Sequence, residues 1–246
     1  MTVEFGALFP AERMTEVEKL EEWGYDAAWS SEHILFYGVN HEAIPVLAAF
    51  AGRTKRIKLG TAVYLLPLRH ATITAKSVAT LDILSGGRTI LGIGVGGEYP
   101  KEFESVGVNV KERGARTNEA IPLLRRLWSE EHINHAGKFF PLDDVTMNPH
   151  PPQGASLPIW VAGRSEAAIR RAGLMGDAFF PYLYTASRLK TGLEQARAIA
   201  TEAGRDPAAV KGAIYQFISM DSTYEAAHKA AVAALTAQYN QPFDDI

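Results

Sequence analysis

The sequence predicts an α/β fold, a (β/α)8 barrel of the TIM type, on three observations. Short apolar runs alternate with longer stretches of helical period, which is the signature of strand and helix units around a parallel sheet. The run at 57–63 has Lys58 as its only charge, which suits a strand buried on both faces. The turn after the first run reads Phe9-Pro10-Ala11-Glu12, without the glycine-rich phosphate loop that an open, doubly wound dinucleotide-binding sheet needs there. A chain of 246 residues, 47% of them hydrophobic, has the length of one such barrel.

The elements follow in order. Residues 3–9 read as the first strand, and an amphipathic segment after Pro10 runs to Glu22 and ends near Gly24. A second strand spans 25–30, a buried helix 44–52, and the third strand 57–63. A long helix over 71–84 stops at Gly86-Gly87, with Asp82 and Arg88 expected to pair across the turn. The fourth strand spans 89–95 and the next helix 113–128. Residues 129–158 break the pattern as an insertion within a single domain, 1–246, and its Phe139 and Phe140 are expected to line a substrate pocket. Alternation then resumes with strands at 159–162, 178–181 and 213–220 and helices at 165–175, 187–203 and 223–239. The count is seven strands, so either the eighth βα unit is missing or two strands are merged; a chain cut short is the expectation.

Composition narrows the function. A net charge of −3 and a pI near 6.2, with no run of five like charges, point away from nucleic acid. The absence of cysteine removes disulfides, thiolate catalysis and sulfur-ligated metals. No His-x-x-x-His pair suggests a metal site, so none is expected. Glu4 stands where a signal peptide carries positive charge, and no apolar run spans a bilayer, so a cytoplasmic protein with no membrane partner is expected.

Working residues of such barrels sit at the C-terminal ends of the strands. The second strand exits through Trp29-Ser30-Ser31-Glu32-His33. An imidazole there faces the mouth and can hydrogen-bond a cofactor or move a proton, although it could equally cap a loop, and Glu32 could pair with a nearby arginine. The third exit places Gly60, Thr61, Ala62 and Val63 where a flat ring can approach the backbone, as in an ordinary core strand also. Arg69 and His70 suit an anion or a helix cap. The fourth exit holds Gly92, Gly94, Gly96 and Gly97, a bare floor for a ligand, although Gly-x-Gly spacing is common. The strand at 159–162 exits through Ala162-Gly163-Arg164-Ser165 into a helix, a candidate phosphate site, with a plain Ser165 N-cap as the alternative. The general barrel rule places that site after the seventh or eighth strand, whereas here it follows the fifth. The four tryptophans read as core residues.

Together these stretches resemble the luciferase-like monooxygenase superfamily, in its F420-dependent branch. The resemblance is carried by Trp29-Ser30-Ser31-Glu32-His33, by Arg56-Ile57-Lys58-Leu59-Gly60-Thr61-Ala62-Val63, and by Leu66-Pro67-Leu68-Arg69-His70 with Ala75-Lys76. It continues through Ala79-Thr80-Leu81-Asp82-Ile83-Leu84-Ser85-Gly86-Gly87-Arg88, Leu91-Gly92-Ile93-Gly94, Glu102-Phe103 with Gly107, and Pro158-Ile159-Trp160-Val161-Ala162-Gly163 with Gly176-Asp177-Ala178. It implies a ring cofactor across the mouth, its phosphate near Gly163, Arg164 and Ser165, and His33 beside a deazaflavin ring in the hydride step. It also implies a non-proline cis peptide at Ala62-Val63 and a homodimer. Three departures stand out besides the missing unit. Glu32 replaces a frequent aspartate, Val95 replaces the phosphate-binding arginine of flavin-using members and leaves Arg164 as the substitute, and Gly97 replaces a bulkier residue, with Glu98 as the remaining nearby acid.

The resulting expectation is an F420-dependent oxidoreductase passing a hydride between coenzyme F420 and a small organic substrate, with His33 and Glu32 in catalysis. Thr61, Ala62, Val63, Gly94, Gly96, Gly97, Ala162, Gly163, Arg164 and Ser165, with His33, are expected to bind the cofactor. One rival is an FMN-dependent two-component monooxygenase. A second is a barrel that binds flavin or deazaflavin without turnover.

Overall fold

A computed structural model describes residues 3–240. The elements in order are β1 (Gly6–Leu8), α1 (Lys19–Glu22), β2 (Ala27–Ser30), α2 (Ala43–Arg53), β3 (Lys58–Thr61), β4 (Tyr64–Leu65), α3 (Ala71–Ser85), β5 (Thr89–Gly94) and α4 (Pro100–Ser105). They continue with α5 (Arg113–Leu127), β6 (Ile133–His135), β7 (Leu142–Val145), β8 (Ile159–Ala162), α6 (Glu166–Met175), β9 (Ala178–Phe180), α7 (Ala186–Glu202), β10 (Lys211–Gly212) and α8 (Tyr224–Tyr239).

All pairings in the main sheet are parallel, in the order β1-β2-β3-β5-β8-β9-β10, with β4 also pairing β5. The seven expected strands are therefore the seven staves. The strand expected over 57–63 is split into β3 and β4, with the cis Ala62–Val63 peptide that the resemblance implied lying between them. Among the described residues no ladder joins β1 to β10, so the curled sheet keeps one open seam.

Side chains alternate along each strand with period two, which separates the lumen from the helix layer. Ala27, Trp29, Ile90, Ala162 and Phe180 fill the concave side, whereas Ala28, Leu59, Leu91, Ile159, Val161 and Phe179 face the helices. Trp29 of β2 lies 5.0 Å from Trp160 of β8, between strands separated by two others, which shows how strongly the sheet curls. Gly6 and Gly60 make room for that indole, since a Cβ on either would come within 2.2 Å of it.

Several expectations are corrected. The amphipathic stretch after Pro10 is a 3-10 segment, Ala11–Glu16, followed by the single turn of α1, because Arg13 leaves helical geometry (φ −101°, ψ 17°). The strand expected over 213–220 begins earlier and is short. Ala213, Tyr215 and Phe217 alternate with exposed neighbours, but Ile218 and Met220 are 81% and 89% exposed, and among the described residues no further strand pairs with them. Asp82 does not pair with Arg88. It accepts from Thr89 N and from both nitrogens of Gln153, while Arg88 donates to the carbonyls of Ala51, Thr54, Ile57 and Ser85. Trp23 is 59% exposed rather than core.

The insertion is ordered by the helix layer. It contains the β6-β7 hairpin, and Glu119 of α5 accepts from the backbone amides of Lys138, Phe139 and Phe140. Phe140 is fully buried in the same core as Trp128, Ile133 and Leu157, and Arg116 lies over the Phe139 ring. These two aromatics therefore fasten the hairpin to α5 and do not line a pocket in the lumen.

Candidate active site at the barrel mouth

The β2 exit divides an acid and a base, Glu32 and His33, between wall and mouth. Glu32, 2% exposed, turns into the wall, where Oε1 accepts from Arg69 Nη1 at 2.7 Å and Leu65 N at 3.0 Å, and Oε2 accepts from Arg69 Nη2 at 3.1 Å and Ala43 N at 3.5 Å. The carboxyl thus ties the β2 exit to β4 and to the start of α2. Burial pushes it above the usual carboxylate range, to about 7, against the pull of Arg69 and the Leu65 amide. Arg69 also lies over the Tyr64 ring, and His70 accepts from Thr72 N as the N-cap of α3. Both side chains are thereby engaged in structure.

His33 stays at the surface of the mouth with a side-chain exposure of 19%. Its Nδ1 lies 3.2 Å from Oε2 of Glu102, which is wholly buried, and its ring stacks on Phe36 at 3.9 Å. Around them stand Tyr37, Tyr99, Phe217 and Tyr239, in edge contacts with Phe36 or with one another. Tyr182 and Tyr215 continue the ring, and burial raises the phenol of each, that of Tyr215 to about 12.

The glycines at the β5 exit have a tighter purpose than an open floor. A Cβ on Gly92 would sit 2.0 Å from Thr61 O, and one on Gly94 would sit 2.6 Å from Val63 Cγ2, so Gly92 admits the backbone of the β3 exit and Gly94 admits the Val63 side chain. Thr61 is 1% exposed, and its hydroxyl donates to Gly92 O at 2.7 Å. Gly96 and Gly97 hold φ of +61° and +119°, values that favour glycine, and turn the chain out of the sheet.

At the β8 exit Gly163 holds φ +129°, and Ser165 caps α6 by accepting from Ala168 N at 3.3 Å. The first amides of α6, from Glu166 and Ala167, have no acceptor among the described residues. Arg164 is exposed and lies over the Tyr182 ring, 4.5 Å from its centroid. The structure thus gathers His33, Ala62, Val63, Gly94, Gly96, Gly97, Ala162, Gly163, Arg164 and Ser165 at the strand exits, while Glu32 and Thr61 are turned into the wall. Glu102 and Tyr99 stand in the sequence motifs without an assigned role, and nothing in the sequence singles out Phe36, Tyr182 or Tyr215. No local pattern links Glu102 to a histidine 69 positions earlier.

The sequence profile of the family described as luciferase-like monooxygenase matches residues 9–245. The F420-dependent glucose-6-phosphate dehydrogenase of Amycolatopsis mediterranei (strain U-32) is 34% identical over 180 residues, covering 69% of this chain and 53% of that protein. The chain spans about half the length of the curated relatives it matches. The monooxygenase RslO1 from Streptomyces bottropensis superposes with a TM-score of 0.78 at 27% identity, over 96% of this chain and 77% of its own. An F420-dependent secondary alcohol dehydrogenase in complex with an F420-acetone adduct has the same fold, with a TM-score of 0.83 at 23% identity over 99% and 78% of the two chains. No helix among the described residues is long and apolar enough to cross a membrane.

Proposed function

The chain belongs to the luciferase-like monooxygenase family, and from that premise we propose that it transfers a hydride between coenzyme F420 and a small organic substrate. The observation that carries this reading is His33, held at Nδ1 by Glu102 and stacked on Phe36 at the mouth of the barrel. The likeness to an F420-dependent dehydrogenase supports the deazaflavin in preference to FMN, as does Val95 in place of an arginine.

The donor set fits an anionic, ring-bearing cofactor. Arg164, with the amides of Glu166 and Ala167, would hold the phosphate at the α6 N-terminus. Ala62, Val63, Gly94, Gly96, Gly97, Ala162 and Gly163 would border the ring. When bound, the deazaflavin supplies or accepts the hydride. With Nδ1–H turned to Glu102, His33 Nε2 would accept the substrate proton in the oxidative direction and return it in the reductive one, and the surrounding aromatics exclude water from it. Glu32 has a positioning role in this reading, because protein donors engage both of its oxygens.

A titration of the purified protein with F420 and FMN, each oxidised and reduced, tests the reading. Micromolar or tighter F420 binding with much weaker FMN binding is expected, and turnover with glucose 6-phosphate or simple secondary alcohols should be lost in His33→Ala. Binding of neither cofactor rejects the proposal. A preference for reduced FMN would favour the flavin monooxygenase, the reading supported by the likeness to RslO1.

A further inference from the structure

We infer that Glu102 is the positioning residue that fixes the tautomer and in-plane orientation of His33. This rests on the hydride-transfer reading for its consequence in turnover, but not for its geometry.

Glu102 lies in α4, a six-residue helix led by Pro100, and its side chain is 1% exposed. Among the described residues no lysine or arginine forms an ion pair with it. Its partners are instead three N–H groups of one short segment. Oε1 accepts from Ile34 N at 2.6 Å and Leu35 N at 3.3 Å, and Oε2 faces His33 Nδ1 at 3.2 Å. A carboxylate can only accept, so Nδ1 carries the proton and Nε2 is the ring nitrogen left with a lone pair. The two backbone bonds hold the carboxylate still, so its second oxygen sets the rotation of the imidazole within its plane. Phe36, stacked at 3.9 Å and 14°, sets the plane itself. One buried acid therefore locks both the loop after β2 and the protonation pattern of the group that this loop carries to the mouth.

The experiment is 15N NMR of the histidine ring in the full chain, with the His33 signals identified by their loss in His33→Gln. Neutral His33 should be the Nδ1–H tautomer in the wild type, a measurement that needs neither cofactor nor variant. In Glu102→Gln the amide oxygen is expected to keep the Ile34 and Leu35 bonds and turn its NH2 toward Nδ1, switching His33 to the Nε2–H tautomer. Glu102→Asp should restore part of the wild-type pattern. With F420 and substrate, kcat of Glu102→Gln should fall by about tenfold to a hundredfold, while KM and cofactor Kd stay within about twofold. An Nε2–H tautomer in the wild type, or a variant that changes KM or thermal stability alone, overturns the inference. If F420 neither binds nor turns over but the tautomer is Nδ1–H, the hydride reading fails and the positioning of His33 stands.

Discussion

Glu32 and Arg69 form a two-point ion pair within the barrel wall, with Nη1 to Oε1 at 2.7 Å and Nη2 to Oε2 at 3.1 Å. The Glu32 side chain is fully buried, and that of Arg69 is 15% exposed, with Glu42 as a second, weaker partner at 3.3 Å. Removing one member of such a pair leaves the other desolvated. At pH 8, where the carboxyl is ionised, Glu32→Ala is therefore expected to destabilise the fold by about 3–5 kcal/mol. Glu42→Ala should cost only about 1 kcal/mol, because its contact with Arg69 is partly exposed and the loss is mainly that of its N-cap bond from Ile44 N. Urea denaturation of the two variants separates these outcomes, and equal, small losses would mean that the pair does not hold the β2 exit.

The same carboxyl gives the fold a pH dependence with a definite sign. Burial raises Glu32 in the folded chain from 4.5 to about 7, so the folded state binds its proton more tightly than the unfolded state does. Stability from this group is complete below about 4.5 and is lost as pH rises through about 7. Relative to Glu32→Gln, which cannot titrate, the wild-type melting temperature should fall between pH 5 and pH 8. A constant difference across that range would show that Arg69 outweighs burial and keeps the carboxylate ionised throughout.

Trp29 supplies a packing prediction through Gly60. A Cβ there would lie 2.2 Å from the indole, which already packs against Trp160 at 5.0 Å and Phe180 at 5.4 Å. Gly60→Ala should cost about 1–3 kcal/mol and shift the tryptophan emission, as the ring has little room to retreat. Gly52, near the end of α2, has nothing within 4 Å of its added Cβ, so Gly52→Ala should stabilise by about 0.5–1 kcal/mol through helix propensity. The opposite signs, read by thermal melting, distinguish a packing glycine from a permissive one.

The staves were legible in the sequence because they are short, nearly continuous apolar runs set between helical stretches, and Gly86, with φ +69°, ends α3 where a helix stop was expected. What sequence could not show depends on partners far along the chain. Asp82 looked like the mate of Arg88, six residues on, but the insertion delivers Gln153 to it across 71 positions. The hairpin aromatics looked like ligand contacts because an apolar residue in a long loop reads the same whether it meets a ligand or α5. At the mouth, His33 could be named from its place after β2. Its orientation depends on Glu102, and nothing in the residues around either one specifies that meeting.

The β8 exit separates a cap from an anion site, because two adjacent residues have different jobs there. Ser165 Oγ accepts from Ala168 N at 3.3 Å, so Ser165→Ala should destabilise the fold by about 1 kcal/mol through loss of the N-cap. Arg164 is exposed and rests on Tyr182, so Arg164→Ala should leave stability within about 0.5 kcal/mol. If Arg164 meets the cofactor phosphate, the same change should weaken F420 binding about tenfold, or 1.4 kcal/mol, with a reduced dependence on salt. The control is the deazaflavin ring without its phosphate, whose affinity should then be unaltered by Arg164→Ala. Equal weakening of both ligands would assign Arg164 to holding Tyr182 against the ring, and the phosphate would be left to the amides of Glu166 and Ala167 alone.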